Sequence, residues 1–94
     1  MALNFEWDPR KAAKNLAKHG VSFREPESVF GDPLGRITTD PRHSRDEERY
    51  VLLGVSHRQR LLAVMFTDRG DAIRLISARR ATLRERRDYE HETA

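Results

Sequence analysis

An unbroken apolar run, Leu61-Leu62-Ala63-Val64-Met65-Phe66, constrains this chain more than any other stretch. A strand with one wet face alternates apolar and polar residues, and this run does not, so it belongs at the centre of a sheet with both faces covered. The separators on either side, Ser56 to Arg60 and Asp68 to Asp71, are short enough for hairpins. Residues 50–55, 61–67 and 72–78 are therefore expected as an antiparallel meander, with 35–39 as one further strand before it. The run is far shorter than the roughly 20 residues that cross a membrane. Asn4, Glu6 and Asp8 make the amino terminus too polar for a signal peptide, so a soluble, intracellular protein is expected.

Two helices should precede these strands and one should follow. Asp8 reads as an N-cap before Pro9, whose missing N–H costs nothing at the first helical position, and Gly20 supplies the stop. Between them Ala12, Ala13, Leu16 and Ala17 form a narrow apolar stripe, with Lys11, Lys14, Asn15 and Lys18 over the rest, as in a surface helix packed on one side. Ser22-x-x-Glu25 has the form of a capping box ahead of Val29, Phe30 and the breaker Gly31-Asp32-Pro33, which predicts a short second helix. Thr82-x-x-Glu85 has the same form and predicts a helix from near Leu83, with only His91 to Ala94 frayed. The expected order is ααββββα, an α+β chain forming one domain over residues 1–94.

With 37% hydrophobic and 35% charged residues, 94 residues make a small, highly solvated domain with a modest core. The absence of cysteine excludes disulfides, thiolate catalysis and cysteine-based zinc sites. Net charge is only +3, so position says more than the sum. All the lysines (Lys11, Lys14, Lys18) share one early segment, whereas the arginines are concentrated from Arg69 onward and are also present at Arg42, Arg45 and Arg49. Two separated basic surfaces are implied, suited to nucleic-acid phosphates or an acidic protein partner. Arg74, Arg79 and Arg80 lie on or just after a strand, a rigid mount from which a guanidinium holds phosphate oxygens bidentately. Arg84, Arg86 and Arg87 read equally as solvated arginines of a surface helix.

Several pieces stand in a fixed order: Phe5-Glu6-Trp7-Asp8 with Lys11 and Asn15, Lys18-His19-Gly20-Val21 before Phe23, Val29-Phe30 with Asp32-Pro33, and Glu48-Arg49 before Gly54. Ile73-Arg74 with Ile76-Ser77-Ala78-Arg79, then Thr82, Glu85, Arg86 and Tyr89, close the series. Over nearly its whole length the chain thereby resembles the BrnT family, the toxin half of a bacterial type II toxin–antitoxin system. The resemblance implies a RelE-like fold with two N-terminal helices, a four-stranded, mainly antiparallel sheet and a C-terminal helix. It also implies a cytoplasmic endoribonuclease that needs no metal or other cofactor and arrests growth. A BrnA-type ribbon-helix-helix antitoxin would neutralise it, as a pair of toxins on a dimeric antitoxin that carries the DNA binding. The 57–60 hairpin lacks the glycine such loops often carry, and Met65 replaces a branched residue in the central strand.

Cleavage of RNA by internal transphosphorylation needs a base for the 2′-hydroxyl, cations for the charge that builds on phosphorus, and an acid for the departing 5′-oxygen. His19, at the negative end of the first helix, suits acid or base work or merely caps carbonyls before Gly20. His43 reads as a solvated loop histidine with the same chemistry in reach, and His57 and His91 as incidental. Glu48 is either a general base or a partner that orients an arginine, and Arg49 joins it at the start of a strand. Asp46-Glu47-Glu48 is the one acidic cluster that could hold magnesium, but no histidine pair has zinc spacing, and no metal site is expected. Arg74 and Arg79 are the foremost candidates for phosphate contacts, although period-two alternation sets them on opposite faces unless a bulge intervenes or Arg79 already lies beyond the strand. Tyr89 either stacks on a base or donates a proton, or is a packing residue of the last helix. Lys11, Lys18, Arg69, Arg80 and Arg86 are expected to bind RNA around this centre.

A competing reading from another class is a non-catalytic module whose basic surface binds nucleic acid or an acidic protein segment. A disordered antitoxin segment folding over a catalytic groove would use the same surface.

Overall fold

The computed structural model describes residues 3–40, 42 and 47–93. Its elements run β1 (Phe5–Glu6), α1 (Pro9–His19), α2 (Arg24–Val29), β2 (Arg36–Thr39), β3 (Arg49–Val55), β4 (Leu61–Asp68), β5 (Ile73–Arg80) and α3 (Leu83–Thr93). The order is thus βααββββα, and the sheet is five-stranded and mixed, where four strands and ααββββα were expected. The additional strand is β1, which pairs in parallel with β5 through Phe5↔Ile73 and Glu6↔Arg74. Two residues are too few to show any period in a sequence.

Strand order across the sheet is β1-β5-β4-β3-β2, which places the apolar 61–68 strand in the middle, as its composition demands. One face of the sheet is covered by α1 and α2. There Leu52, Leu62, Val64, Phe66, Leu75 and Ala78 bury against Val21, Phe23 and Val29. Phe30 meets Phe5 and Phe66 edge-on, with ring centroids 5.1 and 5.0 Å apart. On the other face α3 covers only one end, where Tyr89 packs with Leu53, Leu61 and Ala63. Among the described residues no helix is long and apolar enough to cross a membrane.

The local signals around α1 hold in detail. Asp8 accepts the Arg10 N–H at 2.8 Å, and Gly20 closes the helix at φ +70°, a conformation that costs a side-chain-bearing residue. The roll of α1 differs from its apolar stripe, however. Leu16 is 53% exposed and Ala13 and Ala17 face solvent, while Asn15 is buried. Asn15 donates to the carbonyls of Val21 (2.9 Å) and Ala78 (2.8 Å) and accepts the Ala78 N–H (3.0 Å). These bonds satisfy the edge of β5 where β1 no longer runs, and they set the face that α1 turns inward.

The box expected at the start of α2 does not form. Phe23 occupies the N-cap position without a side-chain cap, and Glu25 is drawn into the interior instead. Its carboxylate accepts from Arg60 Nε at 2.9 Å and Ser56 Oγ at 2.7 Å, with Arg60 Nη2 on the other oxygen. This carboxylate joins α2 to the β3–β4 hairpin. Gly54 allows the close approach, since a Cβ there would stand 2.9 Å from Val29 Cγ1. At the start of α3 both capping bonds form: Glu85 N–H to Thr82 Oγ1 at 3.1 Å and Thr82 N–H to Glu85 Oε1 at 2.8 Å. The helix then continues through His91 to Thr93, where fraying was expected.

Candidate functional site

A bulge in β5 decides which side chains share the open face. Pairing with β4 runs from Asp68↔Ile73 to Phe66↔Leu75, then resumes at Met65↔Ser77, so Ile76 is the extra residue. Leu75 and Ala78 both stay on the helix-covered face. Arg74, Ser77 and Arg79 consequently all fall on the opposite face, opposite Thr67, Met65 and Ala63 of β4. Arg49 of β3, also opposite Thr67, falls on that face too.

A groove of ≈ 550 Å³ opens on this face beyond the reach of α3. Arg49, Val51, Met65, Ile76, Ser77 and Arg79 line its floor and wall, and Thr39, Asp40 and Arg42 line its rim. Arginines thus line it from three segments, with Asp40 as the carboxylate among the described lining residues. The Asp40 N–H is fixed by the Arg49 carbonyl at 2.8 Å, which ties the rim to the start of β3.

Arg79 does not enter the groove as a free cation. Its Nη1 donates to Glu85 Oε1 at 2.7 Å and its Nη2 to Glu85 Oε2 at 3.1 Å, a fork-on-fork pair at the junction of β5 and α3. The hydrogen bond from Arg79 holds the Glu85 carboxyl below its ordinary value, and Glu85 raises the arginine in turn. Because Glu85 is also the capping residue of α3, helix start and arginine are oriented by the same carboxylate. A guanidinium carries more N–H donors than this pair consumes, and Nη1 also reaches the Arg80 carbonyl at 3.4 Å.

The other expected residues distribute as follows. Arg49 and Arg79 meet in the groove. Arg74 stands at its margin, 3.7 Å from Glu6, while Arg69 bridges Glu6 (3.8 Å) and Glu47 (3.2 Å) at the β4–β5 turn. Glu48 lies away from the groove: it accepts from the Tyr50 hydroxyl at 3.3 Å, and Tyr50 stacks on Phe66 in the helix-covered core. Tyr89 lies away as well. Its hydroxyl donates to Asp32 Oδ2 at 2.7 Å, and burial with that bond pushes its pKa up to about 12, so it is a packing residue that retains its proton. Arg80, opposite Leu62, sits on the helix-covered side, and Arg86 projects from exposed α3. His43 and Asp46 lie outside the described residues.

Lys11, Lys18 and His19 come together with Lys14 in a second hollow of ≈ 340 Å³, whose remaining lining is Asn15, Ile76 and Ser77. Sequence reasoning missed Asp40 and Ser77 as groove residues. Only the Asp40-Pro41 turn after a strand hinted at the first, and nothing short of the bulge reveals the second.

The BrnT model, described as the ribonuclease toxin of a type II toxin–antitoxin system, matches residues 7–85. Among solved structures the fold is similar to the ribonuclease toxin BrnT of Brucella abortus, with a TM-score of 0.62 and 26% identity over 85% of this chain and 97% of that one. No curated protein sequence matches the chain. A family match that spans both helices, the whole meander and the capped start of α3 leaves one assignment: this chain belongs to the BrnT family of ribonuclease toxins of type II toxin–antitoxin systems.

Proposed function

We propose that this protein is an endoribonuclease that cleaves RNA by internal transphosphorylation in the open-face groove, without a metal ion. The observation that carries the reading is the β5 bulge, which brings Ser77 and Arg79 onto the face of Arg49 and opens a groove rimmed by Arg42 and Asp40. Arg79, oriented by Glu85, takes the phosphate oxygens and stabilises the charge that builds on them, with Arg49 and Arg42 as additional cations. Asp40 is the base for the 2′-hydroxyl. His19, across Ser77 in the adjoining hollow, protonates the departing 5′-oxygen. Arg74 supports the site from its margin through Glu6, and Glu48 and Tyr89 contribute to folding.

Such activity in the cytoplasm would arrest growth, and the type II family supplies the antidote as a protein. A BrnA-type ribbon-helix-helix antitoxin, dimeric and DNA-bound, would hold a pair of toxins by laying a segment over the groove.

The test is incubation of the purified protein with end-labelled RNA in excess EDTA, beside Arg79→Ala prepared identically. Cleavage by the wild type with a loss of about 10²–10³ in rate for the variant is expected, the range for removing one charge-stabilising donor. Cleavage that EDTA abolishes, or an equally active Arg79→Ala, would overturn the assigned mechanism.

A further inference from the structure

The lysines of α1 and the arginines of the groove, remote in sequence, converge on one stretch of backbone. Both hollows are lined by Ile76 and Ser77, one from the open face of the sheet and the other from the side of α1. They meet there because no strand among the described residues continues along this edge. β1 leaves β5 after Arg74, and Asn15 next takes the edge at Ala78. Between those points the bulged residues Ile76 and Ser77 form a low saddle over the sheet edge.

Lys11, Lys14 and Lys18 follow the spacing that keeps side chains on one helix face. They span seven residues, roughly 10 Å at about 1.5 Å per residue. Among the described residues none of the three lies within an ion pair, in contrast to Arg60, Arg69, Arg74 and Arg79. Among the described residues their hollow has no carboxylate in its lining. A row of uncompensated ammonium groups at this length suits about three successive phosphates, at roughly 3.4 Å per nucleotide of a stacked strand.

We infer that the lysine hollow on α1 is a second RNA subsite, and that the substrate is single-stranded RNA bent over the Ile76–Ser77 saddle between lysines and groove. This rests on the ribonuclease reading and adds the class of substrate and its path. A duplex is stiff on this scale and cannot turn around a sheet edge, whereas a single strand follows it and packs bases on apolar side chains such as Ile76 and Met65.

The test is binding of 2′-O-methyl oligonucleotides, which cannot undergo transphosphorylation, so its result is independent of cleavage. Wild type should bind a single-stranded 12-mer more tightly than a 4-mer and than a duplex of the same sequence. The variant Lys11→Gln/Lys14→Gln/Lys18→Gln should lose that advantage of length, and its log–log salt slope should fall by about 2, at about 0.7 per phosphate released. Between 50 and 200 mM salt the wild type would then lose roughly 20-fold more affinity than the variant. Arg84→Ala/Arg87→Ala, which removes exposed charge from α3, should keep both properties. Duplex binding equal to that of the single strand, or a lysine variant with unchanged slope and length dependence, would overturn the proposal; in the second case the lysines serve an acidic protein segment. Absence of cleavage of unmodified RNA with these binding results intact would instead refute the catalytic reading alone.

Discussion

Two carboxylate–arginine pairs in this molecule have the same fork-on-fork chemistry and different duties. Glu25 and Arg60 lie between α2 and the β3–β4 hairpin, with side-chain exposures of 2% and 18%. Glu85 and Arg79 lie at the start of α3, with exposures of 26% and 33%, facing a groove. In the first pair every partner is structural: Ser56 donates to Glu25 at 2.7 Å, and Arg60 Nη2 also reaches the Gly20 carbonyl at 3.3 Å. In the second, a third of the arginine is kept in reach of solvent. Removing one partner of a buried pair leaves an uncompensated charge and is expensive, whereas at a half-exposed pair water makes up part of the loss. The difference separates a fold-holding pair from a site-holding one without any appeal to which residues are charged.

That distinction breaks if stability and cleavage respond alike at both pairs. The largest effect is expected from Arg60→Ala, which leaves a nearly inaccessible carboxylate with Ser56 and the distant Arg58. A loss of about 3 kcal/mol in urea unfolding is expected, with cleavage by the surviving folded fraction intact. Glu85→Gln should do the reverse: about 1 kcal/mol of stability, since the amide keeps part of the cap, but about a tenfold fall in kcat from a loosened Arg79. Equal stability losses in the two variants would dissolve the comparison.

Acid should act on the fold through the first pair. The Arg60 hydrogen bond holds the Glu25 carboxyl below its ordinary value, so its contribution is complete above the unfolded value of about 4.3 and fades as pH falls through the lower folded value. Unfolding midpoints measured from pH 5 downward should drop in the wild type and less steeply in Glu25→Gln. Alkali acts through Tyr89, whose raised value favours the neutral phenol in the folded state. That contribution is present below the unfolded value of about 10 and is lost as pH rises toward about 12. The smallest effect is expected from Tyr89→Phe, about 1 kcal/mol for one hydrogen bond, with unchanged cleavage; a fall in kcat would return Tyr89 to the site.

Local physics explains what the sequence disclosed. Thr82 and Glu85, three residues apart, form the box their spacing announces, and Arg79 is near enough in sequence to share it. Asp8-Pro9 and Gly20 bound α1, and the apolar 61–66 run is central, because each depends on a few neighbouring residues. Ser22 and Glu25 carry the same box signature, yet Arg60, 35 residues away, competes for the carboxylate and wins. Asn15 reads as solvated because the Ala78 backbone that needs it is 63 residues distant. The bulge at Ile76 leaves no mark in the sequence of β5, which leaves open whether Arg74 and Arg79 come to one face through a bulge or because Arg79 lies beyond the strand; the bulge decides it, with Arg79 still paired to Ala63. The two basic surfaces, distinct along the chain, meet at Ile76 and Ser77.

Asn15 carries a mechanical consequence. It grips both backbone groups of Ala78, next to Arg79, and sits one residue from Lys14 on α1. Helix and strand therefore cannot slide past each other without breaking bonds in the dry interior. The lysine row and Arg79 stand at a set separation, like two marks on a ruler, and a strand gripped at the first would be cut at a constant number of nucleotides from it.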